Sequence, residues 1–176
     1  MVADALAGPG VIGMTLLRAG WEHDYYGRPP VYEHGCAGRI EQHEMLPDGR
    51  SNIVLRGLTR FRIVEEHAGE PYRLAAVVPL PDAAGDEAET SAARRAVMAA
   101  IGRAADGPLV LVIKPDLPAD VFVNALSQSL ALSAVERQSL LECDRVLDRY
   151  RRMLSILEFR ELERARRPGP SEPTVH

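Results

Sequence analysis

Apolar residues recur every second position in the first half of this chain and every third or fourth in the second. Val11 to Leu17 is a compact apolar run that reads as a buried strand. Residues 18–34 hold Gly20, Gly27, Pro29 and Pro30 and read as a long irregular connection. Strand character returns near Cys36 and runs to Met45. Leu46-Pro47-Asp48-Gly49 then places Pro where φ is near −65° and Gly where φ can be positive, which is hairpin chemistry. In the next strand Ile53 and Leu55 share a face, with Asn52, Val54 and Arg56 on the other. Past Gly57 the alternation resumes, with Phe61 and Ile63 on one side and Arg60 and Arg62 opposite. Tyr72, Leu74, Ala76 and Val78 alternate again before Pro79 and Pro81 end the sheet region. This pattern predicts an antiparallel meander with one wet face.

From residue 85 the period changes. Ala93, Val97, Ala100, Ile101 and Ala104 fall three or four apart, as do Phe122, Ala125, Leu126, Ser129 and Leu130. Ser133 to Glu136 is a capping box, in which the Ser hydroxyl accepts from the N3 amide and the Glu returns to the Ser amide. Asp144 is placed to cap a last helix whose stripe is Val146, Tyr150, Met153 and Leu157. Strands first and helices second predict an α+β chain: a β unit over 1–82 and a helical bundle over 83–166. The Pro- and Gly-rich stretch 167–176 has too little apolar content to order itself and is expected to be a disordered tail.

Composition removes several classes of function. The 176 residues are 46% hydrophobic and 26% charged, ordinary for a globular protein. A formal net charge of −4 offers no general attraction to nucleic acid or to an anionic membrane. No apolar run reaches membrane-spanning length and no secretory pattern opens the chain. Two distant cysteines, Cys36 and Cys143, make no disulfide framework, so a cytoplasmic setting is the expectation. Nearly all basic charge is Arg, Lys114 being the one lysine.

The stretch "GCAGRIEQHEMLPDGRSNIVLRGLTRFRIVEE", followed by "PYRLAAVVPLPD", resembles the N-terminal, substrate-binding domain of the Lon proteases. "VFVNALSQSLALSAVERQSLLECDRVLDRYRRMLSILE" resembles the helical half of the same domain, and the likeness covers roughly residues 1–165. The resemblance implies a PUA-like antiparallel β-barrel unit followed by a C-terminal helical bundle, and a part in selecting polypeptide clients. No G-x-x-x-x-G-K-[ST] phosphate loop occurs, and Lys114 stands in "VIKPDLP", outside any protease motif. The chain thus resembles a stand-alone, non-catalytic member of that family. Such domains open with an apolar strand ahead of the equivalent of "MVADAL". Its absence implies that Val11 to Leu17 is an unprotected sheet edge, with either an upstream natural start or a second copy covering it as a homodimer.

Other chemistry is weighed against blander roles. His23, His34, Cys36 and His43 carry metal-ligating atoms, but their spacing matches no zinc pattern, and scattered side chains are the simpler reading. No nucleophile elbow surrounds any serine. Adjacent Glu65 and Glu66 point to opposite faces of a strand and cannot act as a carboxylate pair. Arg50, Arg56, Arg60 and Arg62 with Tyr72 are the ingredients of an RNA-binding PUA-like module. The alternative is a solvated face whose arginines pair with Glu41, Glu44, Glu65 and Glu66.

The remaining candidate is "AGWEHDYYGRPPVYEHG". Trp21, Tyr25, Tyr26 and Tyr32 are four of nine aromatic residues, all within twelve positions of an expected loop. Aromatics there can anchor a protein contact at small entropic cost, or plug one end of a barrel. The reading is a non-catalytic module without cofactor or metal. It contacts unfolded polypeptide or a partner protein through those four residues, with RNA as the alternative.

Overall fold

The computed structural model describes residues 1–25, 27–67, 71–83, 85–104, 113–114 and 116–166. The chain divides into two compact units, Met1–Pro81 and Asp82 onward.

In the first unit a short helix, α1 (Val2–Ala7), leads into β1 (Val11–Leu17), β2 (Val31–Met45), β3 (Ser51–His67) and β4 (Leu74–Leu80). The strands form one antiparallel sheet in the order β1-β2-β3-β4. Antiparallel pairing follows from the short connections, and the turn chemistry is as the sequence predicts. Gly49 has φ +84°, Leu46 N–H donates to the Arg50 carbonyl at 2.8 Å, and Asp48 Oδ1 accepts from the Arg50 amide at 3.0 Å. The sheet is open, with β1 and β4 as its edges. Among the described residues no ladder closes it into the barrel that the resemblance implies.

The long middle strands outrun their partners. β1 pairs with β2 no further than Arg39, and β4 pairs with β3 only from Arg60 to His67. Residues 40–55 therefore project as a two-stranded ribbon. Phe61 is the large side chain buried in this unit, and two glycines make room for it. A Cβ on Gly35 would stand 2.5 Å from the Phe61 ring and 2.6 Å from the Met14 carbonyl oxygen, and one on Gly13 would stand 3.1 Å from the ring.

Several expectations for the sheet are corrected. β2 starts at Val31 rather than near Cys36, so Tyr32 lies in a strand; Trp21–Asp24 form a 3-10 turn inside the supposed irregular stretch. β3 runs unbroken through Gly57. Its register goes from Gly38↔Gly57 to Ala37↔Thr59, leaving Leu58 as an extra residue. One inserted residue exchanges the faces, so Ile53 and Leu55 lie on one side and Phe61 and Ile63 on the other. Arg60, expected on the wet face, sits opposite Cys36 and is buried. β4 was expected to bury alternate residues, yet every one of its residues but Leu80 is exposed.

The second unit holds α2 (Glu87–Ala104), α3 (Ala119–Ser129), α4 (Ala134–Leu141) and α5 (Val146–Arg166). The predicted stripes meet in its core: Val97, Ala100 and Ile101 from α2, Phe122 and Leu126 from α3, and Tyr150, Met153 and Leu157 from α5. Val123, Leu132 and Leu140 complete it. The Tyr150 hydroxyl donates to the Ala119 carbonyl at 2.8 Å, and burial pushes its pKa up to about 12. Arg149, also buried, donates to Asn124 at 3.1 Å and to Asp82, which joins α5 to α3 and to the first residue of the unit.

The capping box at Ser133 forms as predicted, with Glu136 N–H to Ser133 Oγ at 3.2 Å and Ser133 N–H to Glu136 Oε2 at 2.6 Å. Arg160 of α5 grips the same carboxylate at 2.6 and 3.0 Å. α5 begins at Val146, two residues after Asp144, and the Arg145 guanidinium binds Asp148 at 2.7 and 3.0 Å. The tail expected to be disordered, 167–176, lies outside the described residues.

Candidate functional site

The aromatic stretch is built on a clamped loop. Gly20 takes φ +89°, a left-handed conformation open to glycine, and turns the chain into the 3-10 segment Trp21–Asp24. That segment puts Trp21 and Tyr25 on one side, four residues apart, with ring centroids at 5.6 Å and planes tilted by 58°. Trp21 is half-buried and Tyr25 is 58% exposed. Tyr32 stands apart from that pair, half-buried at the start of β2 with the Arg18 guanidinium 5.0 Å from its ring centroid. Tyr26 lies outside the described residues. The structure thus pairs Trp21 with Tyr25 and gives Tyr32 a different partner.

Three arginines fix the loop through backbone carbonyls. Arg18 donates from Nε to Val31 at 3.1 Å, Arg28 to His67 at 3.4 Å, and Arg73 to Pro29. The Arg18 amide adds a bond to the Pro30 carbonyl at 2.8 Å. Pro30 and Val31 also form one wall of a shallow depression of about 330 Å³, lined further by Glu33, Ile63, Val64, Glu65 and Glu66. Loop and depression therefore share a wall, and the lining mixes apolar side chains with three glutamates.

Sequence reasoning missed a larger feature. Met14, Met45, Val54, Leu58, Val64, Leu74, Val77 and Val78 of the sheet are all more than 40% exposed. The Leu58 insertion and the one-sided pairing of β4 cause part of this. Neither is visible in alternation, because Leu55 and Phe61 are six positions apart, an even spacing that predicts a common face.

The other candidates come out differently. Arg50 pairs with Asp48 at 2.7 Å, and the Arg50 amide and guanidinium hold that carboxyl below its ordinary range. Arg56 pairs with Glu41 at 2.6 Å, as the solvated-face reading has it. Arg60 is buried and Arg62 exposed, so the four arginines present no common basic strip. Among the described residues no three His, Cys, Asp or Glu side chains are grouped to hold a metal. Cys36 and Cys143 are free thiols, and burial pushes both above the usual thiol range, away from the reactive thiolate. No described helix is long and apolar enough to cross a membrane. What the geometry offers is apolar and aromatic surface for contact.

The family described as the ATP-dependent protease La (LON) substrate-binding domain matches residues 1–158. Lon protease 2 of Herpetosiphon aurantiacus is 33% identical over 149 residues, which is 77% of this chain and 17% of that protein. Lon protease of Flavobacterium johnsoniae is 25% identical over 177 residues, 93% of this chain and 20% of that protein. The chain thus spans about a fifth or less of the length of these relatives. Among solved structures, the N-terminal domain of a Mycobacterium avium complex Lon protease is similar, with a TM-score of 0.58 at 19% identity. It covers 85% of this chain and 91% of that domain, a likeness of fold.

Proposed function

The chain belongs to the Lon substrate-binding domain family, and on that premise we propose that it is a cytoplasmic, non-catalytic module that binds unfolded polypeptide. The observation that carries this reading is the Trp21–Tyr25 pair, a half-buried indole beside an exposed phenol on a loop already fixed by Arg18, Arg28 and Arg73. Preorganised aromatics give contact area with little ordering cost on binding. Tyr32 and Tyr26 extend the same contact in this reading, and the open sheet is the family's PUA-like unit without closure of the barrel. RNA binding is the weaker reading, because the carboxylates of Asp48 and Glu41 already neutralise Arg50 and Arg56.

The test is binding of a permanently unfolded protein, reduced and carboxymethylated α-lactalbumin, followed by fluorescence anisotropy. Trp21→Ala and Tyr25→Ala should each weaken binding by about 1–3 kcal/mol while the melting temperature holds. A sharp fall in melting temperature would mark the residues as structural plugs. Unchanged affinity in both variants would remove them from the site.

A further inference from the structure

We propose that β4 is a docking edge for an extended, uncharged polypeptide segment, which joins the sheet as a further strand. This rests on the polypeptide-binding reading above and names how the client is held.

β4 has seven residues, Leu74 to Leu80, and none is charged. Leu74, Val77 and Val78 are 43%, 44% and 43% exposed. Among the described residues the strand ladders with β3 alone, so the alternate amides and carbonyls on its far side face outward. Sheet proteins blunt such edges with charges, bulges, prolines or a covering element. The irregularity in this ladder sits on β3, at Val64, and β4 itself runs without interruption. In the β1–β2 ladder the register shifts between Thr15 and Leu17, where three residues of β2 stand against one of β1. Within β4 itself the device present is Pro79, which lacks an N–H and lies next to the strand's end. Leu74 to Val78 is left as an uninterrupted template.

Backbone groups in a row select an extended backbone, and apolar side chains on both faces select its composition. A charged residue brought against Leu74, Val77 or Val78 would lose hydration with nothing to replace it. The occupant is a short segment and not a second copy of this chain. A strand of this length is about 23 Å long, and covering its edge buries on the order of 500 Å² in total, below the roughly 1,000 Å² that a stable protein interface clears. Transient capture of unfolded chains fits so small a contact.

The probe is a fluorescein-labelled decapeptide, Lys-(Val-Thr)4-Lys, measured by anisotropy against the full chain. Two N-methylated versions are compared, one methylated on every Val and one on every Thr. A strand added to an edge turns one set of amides to the protein and the other to solvent. One version should therefore lose at least about tenfold in affinity while the other stays close to the parent. Val77→Lys and Val78→Lys, which place a charge on either face, should each weaken the parent peptide about tenfold, with melting temperature as the control for folding. Equal sensitivity to both methylation frames, or unchanged affinity in both Lys variants, overturns the β4 assignment. So does a dimer in sedimentation velocity that Val77→Lys dissociates. Binding of unfolded α-lactalbumin with no binding of the decapeptide sinks this inference and leaves the broader function standing; failure of both removes the function as well.

Discussion

The helical unit and the sheet unit solve the burial problem in opposite ways. Every member of the continuous apolar cluster comes from the helical unit, including Val97, Val123, Leu126, Tyr150 and Met153, each at 0% exposure. Among the described residues of the sheet unit the buried apolar side chains are Ile12, Pro29 and Phe61, while valines and methionines line its surface. Helices satisfy their backbones internally and can turn one stripe inward and be complete. An open sheet leaves two edges and much of two faces, and must either be covered or be used. The large buried cluster thus lies in the second unit, while the strands of the first leave many apolar side chains exposed.

The largest test of that division is a cavity in the helical core. Leu126 has no exposed surface and lies among Phe122, Val123 and α5. Leu126→Ala should cost about 2–5 kcal/mol in denaturant unfolding, because lost transfer energy and an unfilled cavity add. A loss under about 1 kcal/mol would mean that the unit repacks freely and is no rigid scaffold.

The tight junction at Gly35 comes next. Gly35→Ala forces a Cβ to within 2.5 Å of the Phe61 ring and 2.6 Å of a backbone oxygen. Overpacking of this kind costs typically about 1–3 kcal/mol, and it should appear as lower stability of the sheet unit. A neutral result would show that Phe61 can leave its place, and that the sheet has no fixed core.

The difference between the units also explains what was legible in the sequence. Helical period is local, so the stripes Val97–Ile101, Phe122–Leu126 and Tyr150–Leu157 and the Ser133 cap could be read directly. The hairpin turn was equally plain, since Pro47 and Gly49 satisfy local dihedral demands. Burial in the sheet depends on register, which is not local. The Leu58 insertion reversed the faces of β3 and placed Arg60 inside, and lack of a second partner left β4 exposed. In the aromatic stretch the residue types were legible, but the split into a Trp21–Tyr25 pair and an Arg18–Tyr32 contact depended on where β2 begins.

A smaller effect sharpens the comparison through pH. Glu136 is partly desolvated, which alone would raise its pKa. Hydrogen bonds from the Ser133 amide and hydroxyl, with the Arg160 guanidinium, outweigh this and hold it below the ordinary carboxylate range. A folded-state pKa below the unfolded value, about 4.3, stabilises the fold above that value, and the contribution is lost as pH falls through the folded pKa. Glu136→Gln should cost about 1 kcal/mol at pH 7, and the difference should vanish as pH falls through the folded pKa of Glu136. Parallel stability curves over that range would show that this carboxylate is not the titrating cap.

The smallest expected effect is the most pointed. Val54 lies on the projecting ribbon, 50% exposed, where neither β1 nor β4 reaches. Val54→Thr keeps the β-branched shape and strand preference and replaces a methyl by a hydroxyl. At a solvated site the stability change should stay within about 0.5 kcal/mol. The same change in a covered site would strand a hydroxyl and cost at least about 1 kcal/mol. The measurement therefore reports whether the ribbon is bare in the free protein. A cost above that level, with a sedimentation coefficient that rises with concentration, would mean that another copy covers the ribbon. The sheet would then have a core of its own, shared between chains. A change near zero leaves the apolar surface of the sheet with no structural duty, and contact with something outside the chain remains as its physical reason.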